Sequence, residues 1–275
     1  MIFSSIKGGL GNQLFQYALG RRIADGLGVD LVLENGYYAS TQHYHPYLLP
    51  AFNIRSYEIP AEETIEKFSV YIEEMMAYDP EVLQVKDNVL ISGYWQNYKY
   101  VEPIKGMLRK EITPKIPLEG VALEVEKHIK SSHKPVCLHV RGTDYKGWSK
   151  FDVVNQEFYR KAIAQLIEKL GMDITVYLFT DDVEYARHLL TGILPPVEVK
   201  VPQSGLASTD LYLMSLCKHF IIPNSTFSWW GAFLSDNPAK FIFAPRQWWN
   251  PAATDITVSE SMRDLITPDM TLIDF

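Results

Sequence analysis

Four short stretches carry side chains whose types and spacing can do chemistry. In Cys137-Leu138-His139-Val140-Arg141-Gly142-Thr143-Asp144-Tyr145, an apolar run from Pro135 to Val140 ends in a histidine, an arginine and a glycine. Strand side chains alternate between faces, so His139 and Arg141 emerge together, and Gly142 lets the backbone approach closely as the chain leaves the strand. Arg141 offers a rigid fork of donors suited to phosphate or carboxylate; the alternative is an arginine paired with Asp144. Thr180-Asp181-Asp182 ends a strand and opens a helix. Paired aspartates suit a divalent metal, but Asp181 with Glu184 three residues on is also a capping box, and capping is the expected use of Asp181. Asp182 is left to accept the adjacent N–H donors of a guanine edge.

Asn224-Ser225-Thr226-Phe227-Ser228 concentrates polar groups where a helix starts, more than a single cap requires, and such a terminus favours an anion. Trp229, Trp230 and Phe233, just beyond, are expected as core wedges. Lys7-Gly8-Gly9-Leu10-Gly11-Asn12 is neither a dinucleotide fingerprint, since Leu14 stands where the third glycine belongs, nor a Walker loop. It keeps a glycine turn before a helix, where backbone N–H groups can hold an anion; its alternative is a tight turn with Asn12 as N-cap.

The elements that must position these loops read as α/β. Met1–Ile6 is a strand, and Phe15, Leu19, Ile23 and Leu27 form one apolar stripe of a helix with Arg21, Arg22 and Asp25 off it. Gly28 ends that helix and Val29–Glu34 is a second strand. Tyrosines and histidines crowd the irregular region from Asn35 to Tyr57, most of them expected in domain packing and some fit to stack on sugar rings. A helix is expected over Glu62–Glu74, a strand over Asn88–Gly93 and a helix over Val101–Glu111. Thr113-Pro114-Lys115-Ile116-Pro117 reads as a linker, giving domains 1–117 and 118–275. Beyond it, helices at Leu118–Ser131, Gln156–Leu170, Val183–Leu190, Thr209–Lys218 and Thr226–Ser235 alternate with strands at Pro135–Val140, Ile174–Phe179, Val197–Val201, Phe220–Pro223 and Lys240–Ala244. That order means right-handed crossovers and a doubly wound sheet.

Composition bounds the partners. The 275 residues are 47% hydrophobic and 21% charged, with no run long enough to span a membrane and no export signal at the start, so a cytoplasmic protein is expected. A net charge of −7 argues against nucleic acid while leaving room for a local phosphate pocket. Cys137 and Cys217 are expected as buried thiols, with no zinc spacing.

Taken together, these residues resemble the bacterial α-1,2-fucosyltransferases of glycosyltransferase family eleven. Gly8-Gly9-Leu10-Gly11-Asn12-Gln13-Leu14-Phe15-Gln16-Tyr17-Ala18 is similar to the family's amino-terminal signature, and Asn224-Ser225-Thr226-Phe227-Ser228-Trp229-Trp230-Gly231-Ala232-Phe233 to its carboxyl-terminal one. Gly93-Tyr94-Trp95-Gln96 and Thr180-Asp181-Asp182 match shorter elements. His139-Val140-Arg141-Gly142-Thr143-Asp144-Tyr145 resembles the central motif, with Gly142 where the family has a second arginine. The resemblance implies a GT-B fold of two doubly wound domains facing a cleft, an amino-terminal domain on the acceptor side and a carboxyl-terminal domain for GDP-fucose. It implies inverting transfer to O2 of a terminal β-galactose, with no cofactor or metal, and peripheral contact with the inner membrane where lipid-linked glycans are built. By the same resemblance Arg141 holds the β-phosphate, His139 and Asp182 serve the nucleotide, and Asn12 reaches the donor. Gly9, Gly11 and Gln13 of the first loop, with Asn224, Ser225, Thr226 and Ser228, complete the expected donor contacts. Asp144 is the expected base and His139 its reserve. The alternatives are a fucosyltransferase of another linkage, or a protein that binds or hydrolyses a GDP-sugar.

Overall fold

A computed structural model describes residues 1–39, 45–59, 68–75, 77–142, 153–202, 204–250 and 262–275. Two units are resolved by their contacts: Met1–Ile116 with Glu260–Ile266, and Pro117–Ser259 with Thr267–Phe275. The chain therefore returns to the first unit near its end. Within that unit Asp264 accepts hydrogen bonds from Asn97 Nδ2 (2.6 Å), Lys99 Nζ (3.0 Å) and the Tyr78 N–H (3.3 Å).

In the first unit, β1 (Ile2–Ser5) leads through the glycine loop into α1 (Leu10–Leu27) and then β2 (Leu31–Glu34). Gly28 closes α1 in the left-handed conformation at φ 67°, its N–H reaching the carbonyls of Ala24 and Asp25. β3 (Tyr57–Ile59), β4 (Ser69–Ile72) and β5 (Val89–Ser92) complete a parallel sheet in the order β3-β2-β1-β5-β4. Two short helices follow, α2 (Tyr98–Val101) and α3 (Lys105–Glu111).

Two expectations change here. The segment expected as a helix over Glu62–Glu74 holds the strand β4 in its described part, and residues 62–67 lie outside the described residues. Val70, Tyr71 and Ile72 are β-branched and aromatic, and pairing with β5 satisfies their backbone, which outweighs a helical apolar spacing. Arg21, expected off the apolar stripe, is buried, whereas Leu27 on the stripe is exposed. Glu111 explains the arginine: it accepts from Arg21 Nε at 3.1 Å and from the Tyr17 hydroxyl, so the charge enters the core with its partner.

In the second unit, α4 (Gly120–Ser131) precedes β6 (Pro135–Val140), every residue of which is buried. Then come α5 (Gln156–Leu170), β7 (Thr175–Thr180), α6 (Val183–Leu189), β8 (Glu198–Lys200), α7 (Ala207–Ser215), β9 (His219–Ile221), α8 (Thr226–Leu234), β10 (Ile242–Pro245) and β11 (Met270–Ile273). Asn155 caps α5, its side chain accepting from the N–H groups of Glu157 and Phe158. The parallel order β11-β10-β9-β6-β7-β8 is that of a doubly wound dinucleotide-type sheet.

Helices cover both faces of β6. Val136, Leu138 and Val140 pack with Phe158, Tyr159 and Ile163 of α5, while Cys137 packs with Met214, Phe220 and Ala232. Trp229, Trp230 and Phe233 are buried, as are both thiols, whose protonation burial favours. Among the described residues no helix is long and apolar enough to cross a membrane.

Removing Glu111 leaves the Arg21 guanidinium buried with only its bond to Asp25. Glu111→Ala is expected to lower stability by about 3 kcal/mol, read as an earlier urea midpoint.

Candidate functional site

The strand order decides where each unit can bind. In the second unit successive strands run outward from β6 through β7 to β8, then restart at β9 on its other side. The loops after β6 and β9 therefore diverge, and the opening between them at the carboxyl edge is the usual ligand crevice of such sheets. His139, Arg141 and Gly142 belong to the first of these loops, Asn224 to Ser228 to the second.

His139 is buried on the α8 side of the sheet, its ring 5.8 Å from that of Phe227, and its carbonyl accepts the Tyr159 hydroxyl at 3.0 Å. Arg141 stands at the strand end. Asp181 meets Arg141 Nε at 3.2 Å through one oxygen and accepts the Gly142 N–H at 2.8 Å through the other. One carboxylate thus locks both the guanidinium and the turn behind it.

This corrects the expected division of labour between the two aspartates. Asp182, not Asp181, is the N-cap of α6, accepting from the Tyr185 N–H at 2.9 Å. A Thr180 hydroxyl turn at 3.1 Å brings Asp182 into that position, which frees Asp181 to face β6. The place of Gly142 now has a physical reason as well. A Cβ there would lie 2.9 Å from the Tyr185 ring and 3.0 Å from Asp182 Cβ, so any larger residue would require those side chains to give way.

In the β9 loop, Asn224 Nδ2 donates to the Trp248 carbonyl at 2.9 Å, tying this loop to the one after β10. Ser225 is the N-cap of α8 but makes no side-chain cap bond, while Thr226 opens the helix and is half-buried. Ser228 departs from expectation: fully buried, its hydroxyl points back to the Ser225 carbonyl at 3.5 Å. A side chain one turn into α8 lies against its own helix rather than beyond its end. Asp144, with Thr143 and Tyr145, lies outside the described residues.

In the first unit the chain passes from β3 to the far edge strand β4 and steps back to β5, so β1 and β5 are neighbours and their following loops leave the sheet side by side. Gly8 takes φ 79° in the loop after β1, and a Cβ there would meet Asn12 Nδ2 at 2.8 Å. The N-cap of α1 is Gly9, without a side-chain cap, so Asn12 is not the cap; Gly11 follows inside the first turn. Instead Asn12 Oδ1 accepts Gln96 Nε2 at 2.7 Å, linking the loops after β1 and β5. Gln13 is also reassigned. Its carboxamide donates to the carbonyls of Gly8 and Pro46 and accepts the Leu48 N–H, so it braces backbone from within the core. Gln16 does the same between the Lys7 N–H and the Gly93 carbonyl.

Sequence reasoning passed over Asp210. The carboxylate sits in the first turn of α7, accepts the Ser204 hydroxyl at 2.7 Å, and is pushed up to about 6 by burial, against the lowering effect of that hydroxyl. The signal was present: Ser204-Gly205 between a strand and a helix repeats the layout of the other loops.

Two parallel Rossmann-like units of this kind make the GT-B fold of sugar-nucleotide glycosyltransferases. A model of glycosyl transferase family 11 matches residues 4–253, and the chain belongs to that family; it is a glycosyltransferase. The Escherichia coli O-antigen biosynthesis glycosyltransferase WbnK is 28% identical, the alignment covering 90% of this chain and 94% of that one. An α-1,2-colitosyltransferase of Escherichia coli is 26% identical over 90% of this chain and 92% of its own length. Among solved structures, the NodZ α-1,6-fucosyltransferase of Bradyrhizobium, soaked with GDP-fucose, superposes with a TM-score of 0.51 at 17% identity, covering 85% of this chain and 91% of that chain.

Because the folded state raises the proton affinity of Asp210 above that of the unfolded chain, its contribution to stability is greatest below about pH 4. That contribution falls as pH rises through about 6. Asp210→Asn keeps an acceptor for Ser204 and is expected to be more stable than the parent at pH 7.5, on the order of 2 kcal/mol. The gain should vanish near pH 4, checked by melting temperatures across pH.

Proposed function

We propose that this glycosyltransferase moves L-fucose from GDP-fucose, with inversion, onto O2 of a terminal β-galactose in a glycan. The observation that carries the reading is Arg141, fixed by Asp181 at the strand-order reversal of the second unit, one strand from the amino terminus of α8. Breaking the bond between the fucose anomeric carbon and the β-phosphate oxygen puts negative charge on departing GDP. An arginine already oriented, and backbone N–H groups at a helix start, stabilise that charge without reorganising. The second unit is accordingly read as the GDP-fucose domain and the first as the acceptor side. In this reading Arg141 meets the β-phosphate, His139 serves the nucleotide, and Asp182 serves it as well as capping α6. Asn224, Ser225 and Thr226 line the diphosphate, and Asn12 and the Gly9–Gly11 turn reach the donor. Ser228 and Gln13 support the two loops from behind.

An inverting transfer needs a base for the acceptor hydroxyl. Asp144, three residues beyond Arg141, keeps that assignment. No metal is assigned a role, since the arginine and the helix terminus supply the positive field. Linkage to O2 is supported by the α-1,2-colitosyltransferase among the relatives, and fucose by the donor named for the NodZ structure. The colitosyltransferase also supports a second donor, a colitose nucleotide.

The deciding measurement is GDP release from each donor with and without β-galactosides, in EDTA, followed by NMR of the product linkage. Acceptor-dependent release with fucose on O2 is expected; acceptor-independent release would mean hydrolysis. Arg141→Ala is expected to lower kcat about a hundredfold or more, and retention of most activity would remove the phosphate assignment.

A further inference from the structure

β4 ends one residue before Glu73, whose N–H donates to the Ser92 carbonyl at 2.9 Å and so extends the ladder with β5. The Glu73 side chain then turns onto the loop after β5. Oε2 accepts the Tyr94 N–H at 2.6 Å and Oε1 the Trp95 N–H at 3.0 Å. Two successive backbone amides converging on one carboxylate form an anion nest, here filled by the protein itself. Gly93 leaves room for it: a Cβ at that position would lie 2.4 Å from Glu73 Cβ.

The turn held this way is unfavourable by itself. Trp95 adopts φ 56°, a left-handed conformation that bulky side chains avoid, while its indole is buried beside the rings of Tyr71 and Tyr100. Burial of Glu73 raises its proton affinity, opposed by the two N–H groups and by Lys7, so the carboxylate is desolvated but matched. Everything the loop presents follows from this turn. Gln96 reaches Asn12 at 2.7 Å, the Tyr94 ring lies 4.9 Å from the Lys7 ammonium, and Gln16 holds the Gly93 carbonyl at 3.1 Å. These residues lie on the loops after the neighbouring strands β1 and β5 of the first unit.

We propose that Glu73 is a positioning residue for transfer: by holding the Tyr94–Trp95 turn it orients Gln96, and through it Asn12, in the geometry the reaction uses. The inference rests on the reading above that Asn12 reaches the donor. It predicts a loss in the chemical step rather than in nucleotide affinity, because the nucleotide is assigned to the second unit and Glu73 belongs to the first.

Glu73→Gln preserves shape but turns an N–H₂ donor toward one of the two amides; Glu73→Ala removes both acceptors. The test compares kcat, acceptor KM, GDP affinity by calorimetry and hydrogen–deuterium exchange of the peptide spanning Gly93 to Asn97. For Glu73→Gln the expected result is kcat down tenfold or more, GDP affinity within twofold of the parent, and faster exchange confined to that peptide. Gln96→Ala added to Glu73→Gln should cost little more, since both act through one contact. Parent-like kcat, or a fall in GDP affinity and melting temperature in step with kcat, would overturn the proposal. If the parent enzyme transfers to no acceptor, the functional reading fails; unchanged exchange in Glu73→Gln would separately refute the strut.

Discussion

A parallel strand must be followed by a crossover, and crossovers of one hand lay successive strands down in one direction until the chain starts again on the other side of the first strand. The second unit of this glycosyltransferase makes that reversal between β6 and β9, while in the first unit the chain restarts at the far edge strand β4 and steps back to β5 beside β1. The rest of the structure answers to it. At the reversal, adjacent loops leave the sheet in opposite directions, so their backbone groups cannot all pair with each other. Side chains must then hold the loops open in one conformation, and those side chains are the polar residues that stand out in the sequence.

Much of the apparent chemistry is consequently internal bracing. Asp181 holds Arg141 and Gly142, Asp182 caps α6, Gln13 and Gln16 hold backbone around the glycine turn, and Glu73 fills the nest behind Trp95. The carboxylate bonds among these are charge-assisted and worth about 1.5 to 3 kcal/mol each, against about 1 to 3 kcal/mol for a strained backbone position. A single carboxylate is therefore enough to keep Trp95 in a conformation it would otherwise leave. The same comparison explains why Asp210 stays hard to ionise at the start of α7. A helix dipole offers about 0.3 to 1 kcal/mol, which partial burial of a carboxylate readily exceeds.

In the proposed transfer Arg141 works for the opposite reason. Its partner engages Nε and leaves the orientation of the guanidinium determined before any ligand arrives, so little freedom is lost when charge develops nearby. Gly142 belongs to the same arrangement, because the space a second arginine would need is taken by Tyr185 and Asp182.

The sequence alone determined the α/β class, the crossover pattern of the second unit and the central strand Pro135–Val140 with its two faces, because buried strands and amphipathic helices write their periods directly into residue order. It also determined which loops carry polar groups, through glycine turns and hydroxyl clusters at helix starts, and the family through two long motifs. Only the tertiary structure decided the short edge strands β3, β4 and β11, whose three or four residues are too few for alternation to register. It alone gave the α6 cap to Asp182 and paired Asp181 with Arg141, buried Arg21 against Glu111, and turned Gln13 and Ser228 inward. The local capping-box spacing of Asp181 and Glu184 points to the wrong one of two neighbouring aspartates. What separates them is which one the Gly142 amide reaches, 39 residues away in sequence, and a partner at that distance leaves no periodic trace.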